Sequence, residues 1–285
     1  MKRSRGPSWQ RAGALGAGVT LALFLLFLDF PFVWMLVTSF KPDADLYNPQ
    51  QAPLSLARVT LEHYQKLFEQ LPFGSWVANS LWVSAASTAI SLVIGTLAAY
   101  ALARLRFRGA PAVGLGIFIT YLVPTSLLFL PLAHVVRQLG LYDSLDALVV
   151  TYPTFLVPFC TWLLMGYFRT IPKELEECAT VDGCTRLQAF RRIILPIALP
   201  GLVSAGIFAF TLSWNEYIYA LTFLNTDALK TVSVAVPAKA IVGGDAYQWG
   251  QLMAAAVLGS VPIALGYSFF LRYYVAGMTA GAVKG

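Results

Sequence analysis

Pro172-Lys-Glu-Leu-Glu-Glu-Cys-Ala-Thr-Val-Asp-Gly183, running on through Arg186 and Arg191-Arg192-Ile-Ile-Leu-Pro196, is a charged island in an otherwise lipid-soluble chain. Glu174, Glu176, Glu177 and Asp182 alternate with Lys173, Arg186, Arg191 and Arg192 between two apolar runs. Placing one such charge at the centre of a bilayer costs about 3 kcal/mol even on lenient scales. The island therefore faces water. Pro172 suits the first helical position, and the three glutamates suit first turns where the helix dipole favours negative charge. Gly183 supplies a left-handed stop. The pattern predicts a helix from Pro172 to about Asp182, a turn, and a second helix from about Thr185 toward Pro196. Leu175, Cys178, Ala179 and Asp182 then share a face too small and polar for lipid and shaped for a protein cleft.

Around the island, 58% of residues are hydrophobic and only 12% charged, with a mean hydropathy of +0.66. Soluble domains carry about a quarter charged residues, so this is an integral membrane protein. A span needs about 20 apolar residues, which gives six candidates: Leu15–Phe40, Asn79–Ala103, Ala112–Val135, Leu145–Phe168, Ala198–Leu224 and Met253–Tyr274. Continuous apolar runs rather than alternation exclude a barrel and predict an all-α bundle. The first run follows Lys2, Arg3, Arg5 and Arg11 but continues through Pro31-Phe-Val-Trp-Met without a small-residue cleavage pattern, so it reads as a retained helix. Residues 1–14 form an N-terminal segment and 15–285 one transmembrane domain, with an outer loop over 41–76, the charged loop over 169–197 and a tail over 275–285.

Of the 20 Lys and Arg residues, most fall in the termini and in the second and fourth loops, the latter holding the island. Lys41, Arg58, Lys66, Arg137, Lys230 and Lys239 alone lie on the other side. The positive-inside rule puts both termini and the island in the cytoplasm. Topology accounts for the net charge of +6 without nucleic acid. Cys160 lies in a span, Cys178 and Cys184 sit near each other, and His63 and His134 are remote, a pattern against a metal site or a disulfide.

In the outer loop, Leu61, Tyr64, Leu67 and Phe68 recur at helical spacing, predicting a short amphipathic helix that caps the bundle or docks an external partner. Ala85, Ala86, Ala89, Gly95, Ala98 and Ala99 give the second span a small face for close packing. Pro124 and Pro131, then Pro153 and Pro158, interrupt adjacent spans, either as packing kinks or around a water-filled pathway. Asp29, just before Pro31, reads as structural. Trp214-Asn215-Glu216-Tyr217, in mid-span, offers rings for a sugar's apolar face and polar groups for its hydroxyls, or else hydrogen bonds that hold helices together.

Glu177-Cys178-Ala179, Gly183 and Ile193-Ile194-Leu195-Pro196, at this spacing, resemble the EAA loop of binding-protein-dependent ABC importer permeases. Cys178 stands where alanine is usual. Ile171-Pro172 and Val181-Asp182-Gly183 resemble the carbohydrate-uptake branch, which includes the second permease of the maltose transporter. Further resemblances run in order through Phe30-Pro31, Ser39-Phe40-Lys41, Asn79-Ser80, Ala99 to Arg104, Trp214 to Tyr217 and the tail from Gly277. The resemblance implies a type I importer fold of six spans in a bacterial or archaeal inner membrane. Its implied partners are a second, non-identical permease, two ATPase subunits, an external solute-binding protein and a sugar. ATP and Mg would be bound by the ATPase subunits, and no cofactor by this chain, which has no phosphate loop. ATPase docking falls on Glu174, Glu176, Glu177, Cys178, Ala179, Asp182, Gly183 and Arg186, and a tail contact on Gly281, Ala282, Val283, Lys284 and Gly285. The substrate pathway falls on Pro124, Trp214, Asn215, Glu216 and Tyr217. Rival readings are a glycerol 3-phosphate or polyol permease, an amino-acid or peptide importer, a proton-coupled carrier using Asp29 or Glu216, and a membrane-embedded enzyme, for which no constellation is seen.

Overall fold

The computed structural model describes the backbone of residues 8–105, 107–240 and 248–282, with side chains over 16–105, 107–238 and 248–270. Among the described residues no strand occurs, as lipid demands of a backbone that must satisfy its own polar groups. In chain order the helices are α1 (Ser8–Phe40), α2 (Asp43–Leu46), α3 (Glu62–Glu69), α4 (Phe73–Arg104), α5 (Ala110–Leu122), α6 (Thr125–Gln138), α7 (Leu145–Thr151) and α8 (Pro153–Thr170). There follow α9 (Glu174–Val181), α10 (Arg186–Ala189), α11 (Leu195–Ile197), α12 (Leu199–Trp214), α13 (Ile218–Phe223), α14 (Val232–Ala235) and α15 (Trp249–Ala282). Contacts divide the chain into two units, residues 1–71 with 240–258, and 72–239 with 259–285.

In the first unit, α1 exposes Leu21, Leu23, Phe24, Leu26 and Phe27, an apolar surface suited to hydrocarbon rather than water. Its last turn is buried at Thr38 and Ser39. Ser39 accepts a hydrogen bond from the Tyr64 hydroxyl at 2.8 Å, and Lys41 is enclosed, its ammonium donating to the Ala52 carbonyl at 3.1 Å. Arg58 pairs with the buried Asp45. The expected face of α3 is shifted, since Leu61 and Phe68 are exposed and His63 joins Leu67 inside. The reason is polar: the His63 ring meets the Lys41 carbonyl at 2.8 Å, a directional bond that an apolar stripe cannot offer.

In the second unit, α4 lies along α8 and α12. Its buried face is made of Val83, Ser84, Ser87, Thr88, Ser91, Gly95, Thr96 and Ala99. Of the expected small face Gly95 and Ala99 are buried here, whereas Ala85 and Ala89 are exposed. Ser87 returns its hydroxyl to the Val83 carbonyl of its own helix, whereas the buried Ser84, Thr88 and Ser91 hydroxyls find no hydrogen-bond partner among the described residues. Gly95 marks the nearest approach, because a Cβ there would lie 2.7 Å from Cys160 Cβ and 3.2 Å from the Thr161 nitrogen.

One expected span proves broken in its middle, and another is entered through a bend. The third turns by 96° between α5 and α6, because Pro124 forces Val123 into an extended conformation with ψ 120°. The chain enters the expected fifth span, Ala198–Leu224, through a bend of 72° between Arg186–Ile197 and α12, where Pro196 and Pro200 each lack a backbone donor. Among the described residues four helical stretches are long and apolar enough to cross, and up to six crossings result when each bent pair counts as one.

The Gly95 contact sets a first prediction. Gly95→Val should lower the stability of the detergent-purified protein by about 1–3 kcal/mol through overpacking, while Gly166→Ala, where an added Cβ meets nothing within 4 Å, should be tolerated. Thermal inactivation of the two variants side by side checks the contrast.

Candidate functional site

The charged island folds as two short helices joined by a tight stop. Glu174, Glu176 and Glu177 occupy the first turn of α9, and the stop is a Schellman turn. The Cys184 amide donates to the Ala179 carbonyl at 2.9 Å and the Gly183 amide to the Thr180 carbonyl at 3.1 Å. Gly183 sits at φ 86°, a left-handed conformation that costs a residue with a Cβ about 1–2 kcal/mol. Thr185 and Gln188 then form a reciprocal capping box that opens α10.

Glu174, Glu177, Cys178, Asp182, Gly183 and Arg186 are exposed, Glu176 is half-buried, and Ala179 is buried. The anticipated small face is therefore divided. Ala179 turns toward the returning chain, and Leu175, Cys178 and Asp182 remain at the surface.

Beneath α9 lies an anchor not anticipated as part of the site. Arg104, in the last turn of α4, has a side chain only 2% exposed. One of its terminal nitrogens donates to the Ile171 carbonyl at 2.6 Å, and its Nε stands 3.6 Å from Glu176 Oε1. Next to it, Tyr100 packs on Phe190 with centroids 4.5 Å apart and edge-on to Phe168 at 6.1 Å. Ile171, Phe190, Ile194 and Ala198 continue this packing into a core with Leu164 and Ala205. An open cleft of about 550 Å³ separates the end of α4 from α9, edged by Lys173, Glu176, Glu177 and Arg186. The sequence did carry a signal, because Arg104 ends the Ala99–Arg104 run.

The opposite end of α4 holds another loop. Trp76 Nε1 donates to the Asp227 carbonyl at 2.7 Å, Asn79 donates to the Ala228 and Lys230 carbonyls at 2.9 and 3.1 Å, and Ser80 accepts from the Val232 amide at 2.8 Å. Asp143, in a left-handed conformation at φ 61°, accepts from the Asn225 amide at 2.8 Å and from the Thr226 amide and hydroxyl at 2.9 and 2.6 Å. The Thr226 hydroxyl, then the Thr226 and Asn225 amides, hold the Asp143 carboxyl below the ordinary carboxylate value.

The four-residue aromatic and polar cluster is not in mid-span, because α12 ends at Trp214. Trp214 is buried and stacked on Phe210 at 5.8 Å. Asn215 is exposed and donates to the Thr211 carbonyl at 2.9 Å. The Glu216 carboxylate accepts from the Tyr152 hydroxyl at 2.9 Å and from the Tyr219 and Ala220 amides at 2.8 and 3.1 Å. It thereby caps α13. Tyr217 is exposed, as is Pro124 at the 96° break. An apolar cavity of about 520 Å³ between α4, α12 and α15 is lined by Ala89, Leu202, Gly206, Phe210 and Tyr267 among others, but by none of the four cluster residues or Pro124. Gly281 and Ala282 end α15, but their side chains, with Val283, Lys284 and Gly285 entire, lie outside the described residues. No group of three His, Cys, Asp or Glu residues able to hold a metal occurs among the described residues.

Residues 70–280 match the family described as binding-protein-dependent transport system inner membrane component. The chain is 39% identical to the inner membrane ABC transporter permease protein YcjP of Escherichia coli over 93% of its own length and 94% of that protein. It is 37% identical to the diacetylchitobiose uptake system permease protein DasC of Streptomyces coelicolor, over 96% and 98% respectively. Its fold matches, at a TM-score of 0.80 and 21% identity, a chain of a bacterial ABC transporter involved in the import of the acidic polysaccharide alginate, covering 94% of this chain and 98% of that one.

The depressed Asp143 value carries a pH signature. A carboxyl lowered on folding contributes its full stabilisation above the unfolded value, near 3.8, and loses it as pH falls through the folded one. Amide-exchange protection at Thr226 should therefore hold from neutrality down to that range and collapse below it. Asp143→Asn should already reduce protection at neutral pH, and equal protection in both proteins would remove the carboxylate from this role.

Proposed function

The chain belongs to the family of binding-protein-dependent transport system inner membrane components, and we propose that it is the permease subunit of an ATP-driven sugar importer. The carrying observation is α9, an acid-rich helix exposed along Glu174, Glu177, Cys178 and Asp182. Its end is fixed by Gly183, and its base is fixed by Arg104 and the Tyr100–Phe190 contact. A rigidly mounted, exposed polar helix between two apolar stretches suits a subunit that pushes on it from the water phase. Two ATPase subunits would supply that push, one on this chain and one on a second, non-identical permease, with ATP and Mg held by the ATPase subunits alone.

In this reading residues 15–285 form the permease domain. Both termini and α9 face the cytoplasm of a bacterial or archaeal cell, in keeping with the concentration of Lys and Arg on that side. An external binding protein delivers the solute to the other side, where the loops joined by Asp143 and by Trp76 and Asn79 present a fixed surface. A sugar is favoured as cargo by the uptake system named for one relative, that for diacetylchitobiose. The hydrogen bonds that engage Glu216 support a structural role for it rather than proton coupling. Exposed Tyr217 and Asn215 are the members of its cluster available to a passing solute.

Co-expression with the ATPase subunits, the second permease and the binding protein should yield a complex whose binding protein carries a sugar identifiable by mass spectrometry. In that complex Glu177→Lys and Gly183→Val should abolish uptake while the chain still inserts, and wild-type uptake by either variant would remove the docking role from α9. Tyr217→Ala and Asn215→Ala should alter uptake kinetics with assembly intact. Unchanged kinetics in both would confine the cluster to holding helices together.

A further inference from the structure

Arg104 joins three elements at one point. It belongs to α4, it is hydrogen-bonded to the carbonyl of Ile171, the residue that closes α8, and it faces Glu176 on α9. A buried guanidinium normally recovers its lost hydration by hydrogen bonds from most of its donors. Here the pair with Glu176 is incomplete, for Arg104 Nε and Glu176 Oε1 are both buried and neither has a hydrogen-bond partner. Their separation of 3.6 Å exceeds the limit of about 3.2 Å for a good N–H···O bond. The two groups stop short of each other.

We propose that Arg104 and Glu176 are positioning residues that carry displacement of α9 into α4 and α8 by opening and closing this ion pair. The inference rests on the reading of α9 as the ATPase-docking helix. The other attachments of α9 are its Schellman turn and the packing of the returning segment on Tyr100, which are already formed. The charged pair alone falls short of a hydrogen bond by a fraction of an ångström, so it would close on a slight shift, and contacts that switch in this way convert slight local shifts into movement of whole elements. The cleft beside the pair leaves room for the shift, and its charges, Lys173, Glu177 and Arg186, line the edges. Because α4 packs along both α8 and α12, a change at its last turn is felt by both neighbours.

The test uses the complete complex in proteoliposomes with its binding protein and sugar, measuring sugar transported per ATP hydrolysed. Glu176→Gln removes the charge while keeping size and hydrogen-bonding oxygen, so the variant should assemble with its ATPase subunits. Its transport ratio should fall by about fivefold or more, the lower range of allosteric coupling. Arg104→Met and the double variant should show the same fall rather than a multiplied one, since residues that act as a unit are not additive. Ratios unchanged in Glu176→Gln would overturn the proposal. So would loss of the ATPase subunits from that variant, because Glu176 would then be a docking contact. Failure of the wild-type chain to retain any ATPase subunit would instead overturn the functional reading itself, and this inference with it.

Discussion

The approach of α4 to α8 at Gly95 is the contact on which the second unit depends. A hydrogen in place of a side chain lets the α4 backbone close on Cys160 and Thr161, and that closeness fixes where both ends of a 32-residue helix come to lie. At one end Trp76, Asn79 and Ser80 hold the 226–232 loop. At the other, Tyr100 and Arg104 seat the charged island. At a rise of about 1.5 Å per residue, Trp76 and Arg104 stand about 42 Å apart along one rigid rod. Between them dispersion, rather than hydrophobic expulsion, holds the helices, because lipid tails are as apolar as the side chains they would replace. Close packing is then a main source of attraction beside interhelical hydrogen bonds, and a single added methyl at the closest point is felt along the rod.

The same lack of a competing solvent governs the polar groups. Ser87 bonds back to its own helix and lies 3.3 Å from the Ser213 hydroxyl on α12. Glu216 spends its carboxylate on a tyrosine hydroxyl and two backbone amides at the start of α13, supplying acceptors to amides that have no partner within their own short helix. Asp143 does the equivalent for the turn at Asn225 and Thr226. Each of these acids closes a chain break. No proline occurs over 132–152 or 201–236, so these breaks are held by the acids themselves, and the membrane tolerates them because neighbouring groups take up the freed backbone atoms.

The features legible in the sequence were those encoded by composition and local order. Apolar length disclosed the helical bundle, and the Pro172, Gly183 and Thr185 punctuation placed α9 and α10 to within a few residues. What stayed hidden depended on contacts distant in sequence. Arg104 and Glu176 are adjacent only because α4 and α8 pack, so Glu176 read as part of an outward acidic face although it turns inward. The buried face of α4 includes Gly95 and Ala99 but not Ala85 or Ala89, and takes Ser84, Ser87, Thr88 and Ser91 instead, because small size alone does not say which residues meet the neighbouring helix. The cluster at Trp214 read as mid-span because the apolar run continues to Leu224. The helix stops there because Asn215 and Glu216 bond locally, and a hydropathy window cannot register that competition.

Cys178, where the resembling motif has alanine, falls at a position with no internal demand for smallness. Its neighbour Ala179 is 3% exposed and its carbonyl receives the Cys184 amide, so the tight fit inside this chain lies one residue further on. A cysteine in place of alanine costs a helix only about half a kcal/mol in propensity, too little to disturb an element stopped by a Schellman turn. In the proposed docking, any restriction on residue 178 would come from the surface that α9 would meet. A slightly larger, polarizable side chain at that point would ask for a correspondingly shallower or softer wall opposite it in the proposed docking, because within the fold of this chain the position is exposed.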